Sequence, residues 1–487
     1  MAASVTPPRG MRDFLPAEKA RREHALGVIR GVYRAHGFDE IETPVMEDSS
    51  RLHAGLGGDN EKLAFAVMKR GLTPEDLEAA AASGDALSLA DLGLRYDLTV
   101  PLARFYATHR AALPPVFRAI QIAPVWRAER PQKGRYRQFV QCDIDIIGEP
   151  GQLAELELLT ATLATLEALG LGGCVIRIND RRILARILSS WGVPEQLRER
   201  ALITIDKLDK IGVTGVAAEL HELGVIGDGA GTPDVAAELD ALMAADWQLL
   251  DGEASPTGQA MPPPAWLDQQ AYGDLLALRA AMPDAAIEFD PTLVRGMGYY
   301  TGTIFEIAHP DLGYSLGGGG RYDHMIGRFL GQEVPACGFS IGFERIVDLL
   351  EMRDGSRPRA VVLVYDADVE PASLLSLKHE LVASGTRVRF ERRAKNLRAL
   401  LDRVTADGFD AFANVTTEVP ATSSESRSRV RRVALRICDF SIRVRAAPRQ
   451  VKDREVAFAW SDCASATSRF GCGQRAHIVG RSGTVAG

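Results

Sequence analysis

The sequence predicts an α+β protein of two or three domains. Three stretches carry this prediction. Residues 126–148 form an arginine-rich hairpin that ends in an alternating strand, and residues 180–288 are Ala- and Leu-rich with helical composition. Residues 359–415 alternate short apolar strands with helices. With 487 residues, 46% of them hydrophobic, the chain is long enough to bury at least two cores.

Composition and charge exclude several classes of protein. No apolar run reaches membrane-spanning length and the first residues lack a signal-peptide core, so we expect a cytoplasmic protein without a membrane segment. The six cysteines lack disulfide-framework or zinc spacing, and the loose group of Cys463, Cys472 and His477 does not match a metal-site pattern. The net charge is −7, but residues 421–487 hold 13 Lys and Arg against 5 Asp and Glu. An acidic body therefore precedes a basic C-terminal segment.

The N-terminal part of the chain predicts helices that alternate with short strands. Residues 17–36 show helical periodicity, and residues 38–45 form an alternating strand that a proline interrupts. A further strand places Asp97 and Thr99 on one face and continues as a helix near Pro101. These two residues either cap the helix or bind an α-ammonium group.

The hairpin at residues 126–148 is the stretch on which the functional prediction mainly depends. Its closely spaced cations are Arg127, Arg130, Lys133, Arg135 and Arg137. In the strand that follows, alternation places Gln141, Asp143 and Asp145 on one face and apolar residues on the other. Guanidinium groups beside amide and carboxylate groups suit a ligand that joins a polyphosphate to an amine-bearing small molecule. The alternative is a solvated hairpin whose charges keep an edge strand soluble.

Glycine-bearing stretches follow the helical segment. Residues 293–307 predict a strand, a glycine turn and a second strand, and residues 315–331 contain four successive glycines that let backbone approach a ligand closely. Residues 336–351 predict a strand that runs into a helix, with Arg345 near the helix start. The alternative for that last stretch is a buried joint with an exposed arginine.

Eight motifs occur in a fixed order along the chain. They are GFDEIETPVME, LRYDLT, RAERPQKGRYRQF, QCDIDIIG, IDKLDKIG, LVRGMGYYTGTIFE, GGGGRYD and GFSIGFERI. Together they resemble the histidyl-tRNA synthetases, a family of class II aminoacyl-tRNA synthetases, over roughly residues 9–351. The hairpin motif, the Tyr-Tyr pair and IDKLDKIG are much more specific than any single glycine loop.

The resemblance implies a class II synthetase-type fold, with a mixed, mostly antiparallel sheet, flanking helices, a helical insertion and a C-terminal α/β domain. It implies a homodimer formed through residues 38–48. The implied domains are a first core part (1–179), a helical insertion (180–288), a second core part (289–352), an incomplete anticodon-binding-like α/β domain (359–418) and a basic, poorly ordered segment (419–487). The implied reaction joins L-histidine and ATP into histidyl-adenylate and pyrophosphate, and then moves the histidyl group to the 3′ end of histidine tRNA.

The resemblance also implies roles for residues at an ATP site. Arg127 would hold the α-phosphate, with Arg295 opposite it, and Mg²⁺ would accompany the pyrophosphate. Phe139 would stack on adenine, and Arg345 would clamp the far phosphates or the adenine. The ATP-binding residues that it implies are Arg127, Glu129, Arg135, Phe139 and Arg345, the catalytic residues are Arg127 and Arg295, and no metal ligand comes from the protein.

The implied histidine site lies on the polar face of the strand after the hairpin. Gln141, with Asp97 and Thr99, would bind the α-amino group. Asp145 and Tyr300 would take the two imidazole nitrogens. The complete set of implied histidine-binding residues is Asp97, Thr99, Gln141, Asp145, Arg295, Tyr299 and Tyr300.

Two departures from the family pattern accompany the resemblance. Gly298 stands where the family usually has aspartate and removes a carboxylate beside Arg295. The anticodon-binding-like domain lacks its usual continuation, and a basic segment follows that is an extra tRNA contact, a disordered appendage or the product of an altered reading frame.

On the hairpin, Arg130 and Gln132 would meet the acceptor end of tRNA.

Three functions remain open from the sequence. The first is a working synthetase, which the presence of Arg127, Arg295 and Arg345 favours. The second is a non-catalytic paralogue similar to the regulatory subunit of the first enzyme of histidine biosynthesis. The third is a specialised paralogue that adenylates histidine, or a related amino acid, for an acceptor other than ordinary tRNA, which Gly298 and the incomplete domain motivate.

Overall fold

The computed structural model divides the chain into two compact units, one up to residue 351 and the other from residue 352. The residues that the structure describes are 5–53, 63–131, 135–225, 234–247, 263–295, 298–310, 312–350, 359–418 and 432–439. None of the helices within these ranges is long and apolar enough to cross a bilayer.

The strand predicted over residues 38–45 is confined to Asp39–Glu40, and residues 293–295, where the sequence predicts a strand before the glycine turn, form none. The strands are Asp39–Glu40 (β1), Met46–Asp48 (β2), Phe65–Met68 (β3), Ala90–Leu94 (β4), Phe117–Trp126 (β5), Gln138–Ile147 (β6), Val175–Asp180 (β7), Ile287–Phe289 (β8), Thr303–Ala308 (β9), Ser315–Arg321 (β10), Ala336–Ile341 (β11), Ala360–Tyr365 (β12), Arg387–Arg392 (β13), Ala411–Glu418 (β14) and Arg432–Asp439 (β15). The helices are Pro16–Ala35 (α1), Ser49–Leu52 (α2), Pro74–Ser83 (α3), Thr99–His109 (α4), Leu153–Ala168 (α5), Arg181–Ser190 (α6), Glu195–Ile205 (α7), Leu208–Glu222 (α8), Val235–Met243 (α9), Gln269–Ala281 (α10), Asp323–Leu330 (α11), Phe343–Leu349 (α12), Pro371–Ala383 (α13) and Leu397–Ala406 (α14).

An eight-stranded mixed sheet forms the centre of the first unit, in the spatial order β1-β5-β6-β11-β10-β9-β7-β8. The outermost pair at each edge is parallel. The five inner pairs are antiparallel. The α+β fold with a mostly antiparallel sheet is therefore confirmed, and the predicted hairpin at residues 126–148 joins β5 to β6. A separate small sheet has the order β2-β4-β3.

The two faces of β6 have different surroundings because side chains alternate along a strand. Cys142, Ile144 and Ile146 belong to the large apolar cluster that also includes residues of α1 and α5. Ile147 belongs to a second cluster together with Tyr96 and residues of α4 and α11. Each fully buried aliphatic side chain contributes roughly 1.5–3 kcal/mol. The polar residues of β6 therefore lie on a face that the main core does not cover.

Helices α6 to α10 occupy the segment in which the sequence predicts a helical insertion. The last residues of that segment form β8, which pairs in parallel with β7 as part of the large sheet. The predicted boundary at residue 288 therefore falls inside a strand. Three-residue strands carry too little periodicity to separate them from helical or loop sequence.

The second unit contains the predicted βαβαβ arrangement. Strands β12, β13 and β14 are parallel, in the order β13-β12-β14, and α13 and α14 connect them. Strand β15 lies at the edge, antiparallel to β14. Strand β15 lies within the segment 419–487, for which the sequence predicts poor order, and the rest of that segment lies outside the described residues. The alternation of Val433, Leu435 and Ile437 is the sequence signal for this strand.

Candidate active site

A polar pocket lies on the face of the large sheet opposite the main core. Its lining residues are Asp97, Thr99, Arg127, Gln141, Asp143, Asp145, Tyr299, Tyr300, Gly318, Tyr322, Gly338, Phe339 and Ser340. The structure thus brings together seven residues that the sequence resemblance assigns to histidine or to the α-phosphate. They come from β6, from the start of α4, from the hairpin and from the chain before β9.

The floor of the pocket is built by β6 and its neighbour β11. Gln141, Asp143 and Asp145 are at most 9% exposed. In the antiparallel register, Gly338 lies opposite Asp145 and Ser340 lies opposite Asp143. A Cβ atom on Gly338 would lie 2.0 Å from Asp145 Oδ1. Because Gly338 has no side chain, the Asp145 carboxylate can occupy this space.

Asp97 reaches the pocket from the turn before α4, and not from a strand as the sequence predicted. Strand β4 ends at Leu94, and Asp97 Oδ1 accepts a hydrogen bond from the amide of Val100 at 3.2 Å. Asp97 is thus a helix-capping residue, whereas Thr99 is the first residue of the helix. The other oxygen, Asp97 Oδ2, is buried and has no hydrogen-bond partner among the described residues. The capping and ligand-binding interpretations are compatible, because each uses a different oxygen.

Three carboxylates share this buried site. Burial raises the pKa of Asp97 to about 6, and the amide of Val100 and the charge of Arg127 oppose that shift. Burial and the charge of Asp97 raise the pKa of Asp145 to about 7, against the hydrogen bond from Tyr322. Burial, then the charge of Asp145, raises the pKa of Asp143 well above its usual range. A cationic ligand would lower all three values, since it favours the ionised carboxylates.

Tyrosines form one wall of the pocket. The hydroxyl of Tyr322 donates a hydrogen bond to Asp145 Oδ1 at 2.5 Å. The ring centroids of Tyr299 and Tyr300 are 4.6 Å apart, and Tyr299 meets Tyr322 edge-on at 6.2 Å. Gly298, which precedes them, has a φ of 80°. Glycine adopts this left-handed conformation without the steric cost that a side chain brings.

Two arginines meet at Ser315, next to the pocket. Arg295 Nη2 donates to Ser315 Oγ at 2.8 Å and also pairs with Glu306, while Arg345 Nη1 donates to the Ser315 carbonyl at 2.5 Å. Arg295 does not line the pocket directly. A Cβ atom on the lining residue Gly318 would lie 2.7 Å from the Arg295 guanidinium, so Arg295 packs against Gly318 on the face that this glycine shares with its register partner Ser340. The arrangement places two cations side by side at one edge of the site.

Other predicted residues lie on or next to the hairpin. The Arg127 guanidinium lies 5.0 Å from the ring centroid of Phe139, and its Nε donates to the carbonyl of Tyr96 at 3.0 Å. Glu129 and Arg135 form an ion pair at 2.8 Å. Glu129, Arg135 and Phe139 do not line the pocket. Arg130 is exposed, and the predicted residue Gln132 lies outside the described residues.

The helix that carries Arg345 is fixed by a buried ion pair next to it. Arg22 of α1 donates through both terminal nitrogens to Glu344, at 2.5 and 2.8 Å. The amide of Val140 on β6 donates to the same carboxylate at 3.1 Å. Helix α12 is thereby tied both to the first helix and to the strand that builds the pocket floor. This connection fixes the distance from Arg345 to β6.

Sequence reasoning did not assign roles to Asp143, Tyr322 and Ser340, which also line the pocket. Asp143 carried a signal, since it shares a strand face with Gln141 and Asp145. The sequence contains no comparable signal for Tyr322 and Ser340, because their positions depend on which strands pair and in which register. As for metals, none of the described residues form a group of three or more His, Cys, Asp or Glu side chains arranged to hold an ion.

A mostly antiparallel sheet with a polar pocket on one face, together with arginines on a hairpin and at a strand–helix joint, defines a class II aminoacyl-tRNA synthetase. The profile of the family described as Histidyl-tRNA synthetase matches residues 10–346. The chain is 64% identical over 430 residues to a histidine–tRNA ligase from Leifsonia xyli subsp. xyli, which covers 87% of this chain and 98% of that protein. The chain belongs to the histidyl-tRNA synthetase family.

Two further comparisons agree with this assignment. A probable histidine–tRNA ligase from Tropheryma whipplei is 44% identical over 416 residues, covering 84% of this chain and 95% of that protein. The crystal structure of histidyl-tRNA synthetase from Nostoc sp. PCC 7120 has a TM-score of 0.69 at 25% identity, covering 96% of this chain and 99% of that chain. Both similarities extend well beyond residue 346, where the family profile ends.

Proposed function

We propose that this chain activates L-histidine with ATP to give histidyl-adenylate and pyrophosphate, and then transfers the histidyl group to the 3′ end of histidine tRNA. The observation that carries the proposal is the polar pocket on β6, in a chain that is 64% identical to a histidine–tRNA ligase. The regulatory and specialised alternatives are not favoured, because relatives that carry the ligase name cover 87% and 84% of the chain.

The α-ammonium group of histidine is bound between the start of α4 and β6. Asp97 Oδ2 and Gln141 Oε1 are buried acceptors without a hydrogen-bond partner among the described residues. An unpaired buried acceptor costs about 1–3 kcal/mol, and an ammonium group supplies three N–H donors. Thr99 contributes its hydroxyl as a third acceptor. The set Asp97, Thr99 and Gln141 therefore matches this group in number and in charge.

The imidazole ring is recognised by Asp145 and Tyr300. Because Tyr322 occupies Asp145 Oδ1, the second oxygen of Asp145 is left to accept an N–H of the ring. Tyr300 serves the other ring nitrogen, and Tyr299 packs against Tyr300. A site that pairs both nitrogens of the ring rejects amino acids that lack them by large factors.

Adenylation needs cations at the α-phosphate. A carboxylate oxygen of histidine attacks the α-phosphorus, the bond to the bridging oxygen breaks, and pyrophosphate leaves. Arg127, at the pocket, and Arg295, which packs against Gly318, stabilise the negative charge that builds on the phosphoryl oxygens and hold the histidine carboxylate. Loss of one such donor typically costs on the order of 10²–10³ in rate.

The rest of ATP lies along the hairpin and at the Ser315 edge. Phe139 stacks on adenine, Glu129 and Arg135 bind at the adenine end, and Arg345 clamps the far phosphates or the opposite face of adenine. Mg²⁺ would accompany the pyrophosphate part of ATP. Neutralisation of the pyrophosphate is the chemistry that this ion supplies.

The acceptor, the assembly and the location of the enzyme follow from the same proposal. The exposed Arg130, with Gln132, meets the acceptor end of tRNA. A homodimer forms through residues 38–48, where Val45 and Met46 are 43% and 45% exposed and would be covered by the second copy. The enzyme works in the cytoplasm, where its tRNA substrate is found.

The direct test of this function is histidine-dependent ATP–pyrophosphate exchange by the purified chain, with charging of transcribed histidine tRNA measured in parallel. We expect both activities, and we expect Arg295→Ala to lose about 10²-fold or more in exchange. Arg186→Ala, at an exposed arginine of the helical insertion, serves as the matched control and retains wild-type exchange. Exchange without charging supports the specialised paralogue, and histidine binding without exchange supports the regulatory one.

A further inference from the structure

Asp143 is the one carboxylate at the pocket floor to which the proposed function assigns no role. It is 5% exposed and lies on β6 between Gln141 and Asp145. Gln141 Nε2 lies 3.1 Å from Asp143 Oδ2 and 3.4 Å from Asp143 Oδ1, and the Ser340 hydroxyl is a second hydrogen-bond partner of Asp143. The same nitrogen also lies 3.4 Å from Ser340 Oγ. Asp143 therefore contacts the side chain that is proposed to bind the ligand.

These contacts determine which way the Gln141 amide faces. An amide group has a donor end and an acceptor end, and the surrounding hydrogen bonds decide which end points where. A bound ammonium group favours the ionised form of Asp143, and an ionised carboxylate accepts hydrogen bonds and donates none, so the NH₂ of Gln141 faces Asp143. The carbonyl oxygen, Gln141 Oε1, is then directed away from Asp143, and it has no partner in the described part of the chain.

We propose that Asp143 is a positioning residue that selects ligands with an α-ammonium group, because it fixes Gln141 with the carbonyl oxygen toward that group. This inference rests on the proposed function, in which Gln141 and Asp97 share the ammonium group of histidine. The opposite amide orientation would point NH₂ hydrogens at the ammonium, which replaces an attraction by a repulsion. Asp143 then sets specificity without touching the ligand.

The test replaces Asp143 by its isosteric amide and compares two ligands. The amide introduced by Asp143→Asn can donate to Gln141 Oε1, so this substitution releases the Gln141 orientation at constant side-chain volume. We expect the affinity for histidine, measured by titration calorimetry, to fall on the order of 10-fold to 100-fold. The affinity for 3-(imidazol-4-yl)propionate, which lacks the ammonium group, changes less than about threefold. Equal losses for both ligands, or no loss for either, would overturn the inference.

A double-mutant cycle separates the orientation of Gln141 from the charge of Asp143. In a Gln141→Met background no amide remains to be oriented, so Asp143→Asn should change the histidine affinity by less than about threefold there. If the losses are additive instead, Asp143 acts through its charge and the positioning role is wrong. Thermal unfolding of each variant confirms that it is folded.

The wild-type chain distinguishes this inference from the function on which it rests. If wild-type protein does not bind histidine, the proposed function fails and the inference fails with it. If wild-type protein binds histidine and catalyses exchange, but Asp143→Asn binds it equally well, the function stands and the inference alone is overturned.

Discussion

At the scale of single residues, the pocket is dominated by carboxylates that burial makes costly to ionise. Asp97, Asp143 and Asp145 are each at most 5% exposed, and Arg127 is the guanidinium that lines the same pocket. An unpaired buried carboxylate is destabilising, because the protein interior solvates its charge poorly. The same arrangement attracts a ligand that carries a positive ammonium group. The residues that bind the ligand are therefore also the ones that cost stability.

The stability cost of Asp145 predicts a pH dependence. Its pKa is raised from 3.8 to about 7, so between about pH 4 and pH 7 the folded protein holds a proton that the unfolded chain has released. Stability from this group therefore falls as the pH rises through that window. In urea unfolding without histidine, Asp145→Asn should gain stability relative to wild type, by at most about 1.4 kcal/mol per pH unit between pH 4 and pH 7. A stability difference that does not vary with pH would contradict the raised pKa.

At the scale of elements, the site depends on close contact between strands β9, β10 and β11. A Cβ atom on Gly319 would lie 2.0 Å from the Gly338 carbonyl oxygen, and one on Gly320 would lie 2.6 Å from the Thr303 carbonyl oxygen. Glycines in these strands let the neighbouring chains come near each other, and the missing side chain of Gly318 leaves room for the Arg295 guanidinium. The four-glycine run therefore allows close packing of the sheet, and at Gly318 it makes room for a cation beside the pocket.

The pairing of β6 with β11 predicts the effect on activity of adding one methyl group at Gly338. Gly338→Ala places a Cβ atom 2.0 Å from Asp145 Oδ1, so the carboxylate has to move and the imidazole loses its acceptor. Histidine-dependent exchange should fall roughly 10²-fold, since displacements of about 1 Å at a reacting site have effects of that size. Gly313→Ala is the matched control, because a Cβ atom there meets nothing within 4 Å and exchange should be unchanged. Equal activity of the two variants would show that the register does not position Asp145.

The sequence predicted which side chains form the site better than it predicted the backbone elements that position them. Alternation along β6 was sufficient to place Gln141 and Asp145 on one polar face. Asp97 was placed on a strand because LRYDLT alternates, but the Val100 amide draws it into a helix cap. The pairing of Gly338 with Asp145 could not be predicted. Alternation of polar and apolar residues shows which side chains share one face of a strand, but it does not show which strand is the neighbour.

At the scale of the whole molecule, the chain separates into two units that each have their own core. The pocket lies entirely within the first unit, and the large apolar clusters of the sheet and of the helical insertion lie there as well. The second unit has two apolar clusters of its own, on the two sides of β12. The sequence predicted this division from the change to a βαβαβ pattern near residue 359. It did not predict the antiparallel strand β15, because alternation in a short Arg-rich stretch is a weak signal.

The most direct measurement for the whole molecule is ATP–pyrophosphate exchange with each of the twenty standard amino acids supplied separately. A pocket that pairs an ammonium group and both imidazole nitrogens should give exchange with histidine alone, with every other amino acid lower by about 10⁴-fold or more. Glutamine and asparagine are the informative competitors, since they match histidine in polarity and not in the ring. Comparable exchange with any other amino acid, or none with histidine, would contradict the assignment of the pocket to histidine activation.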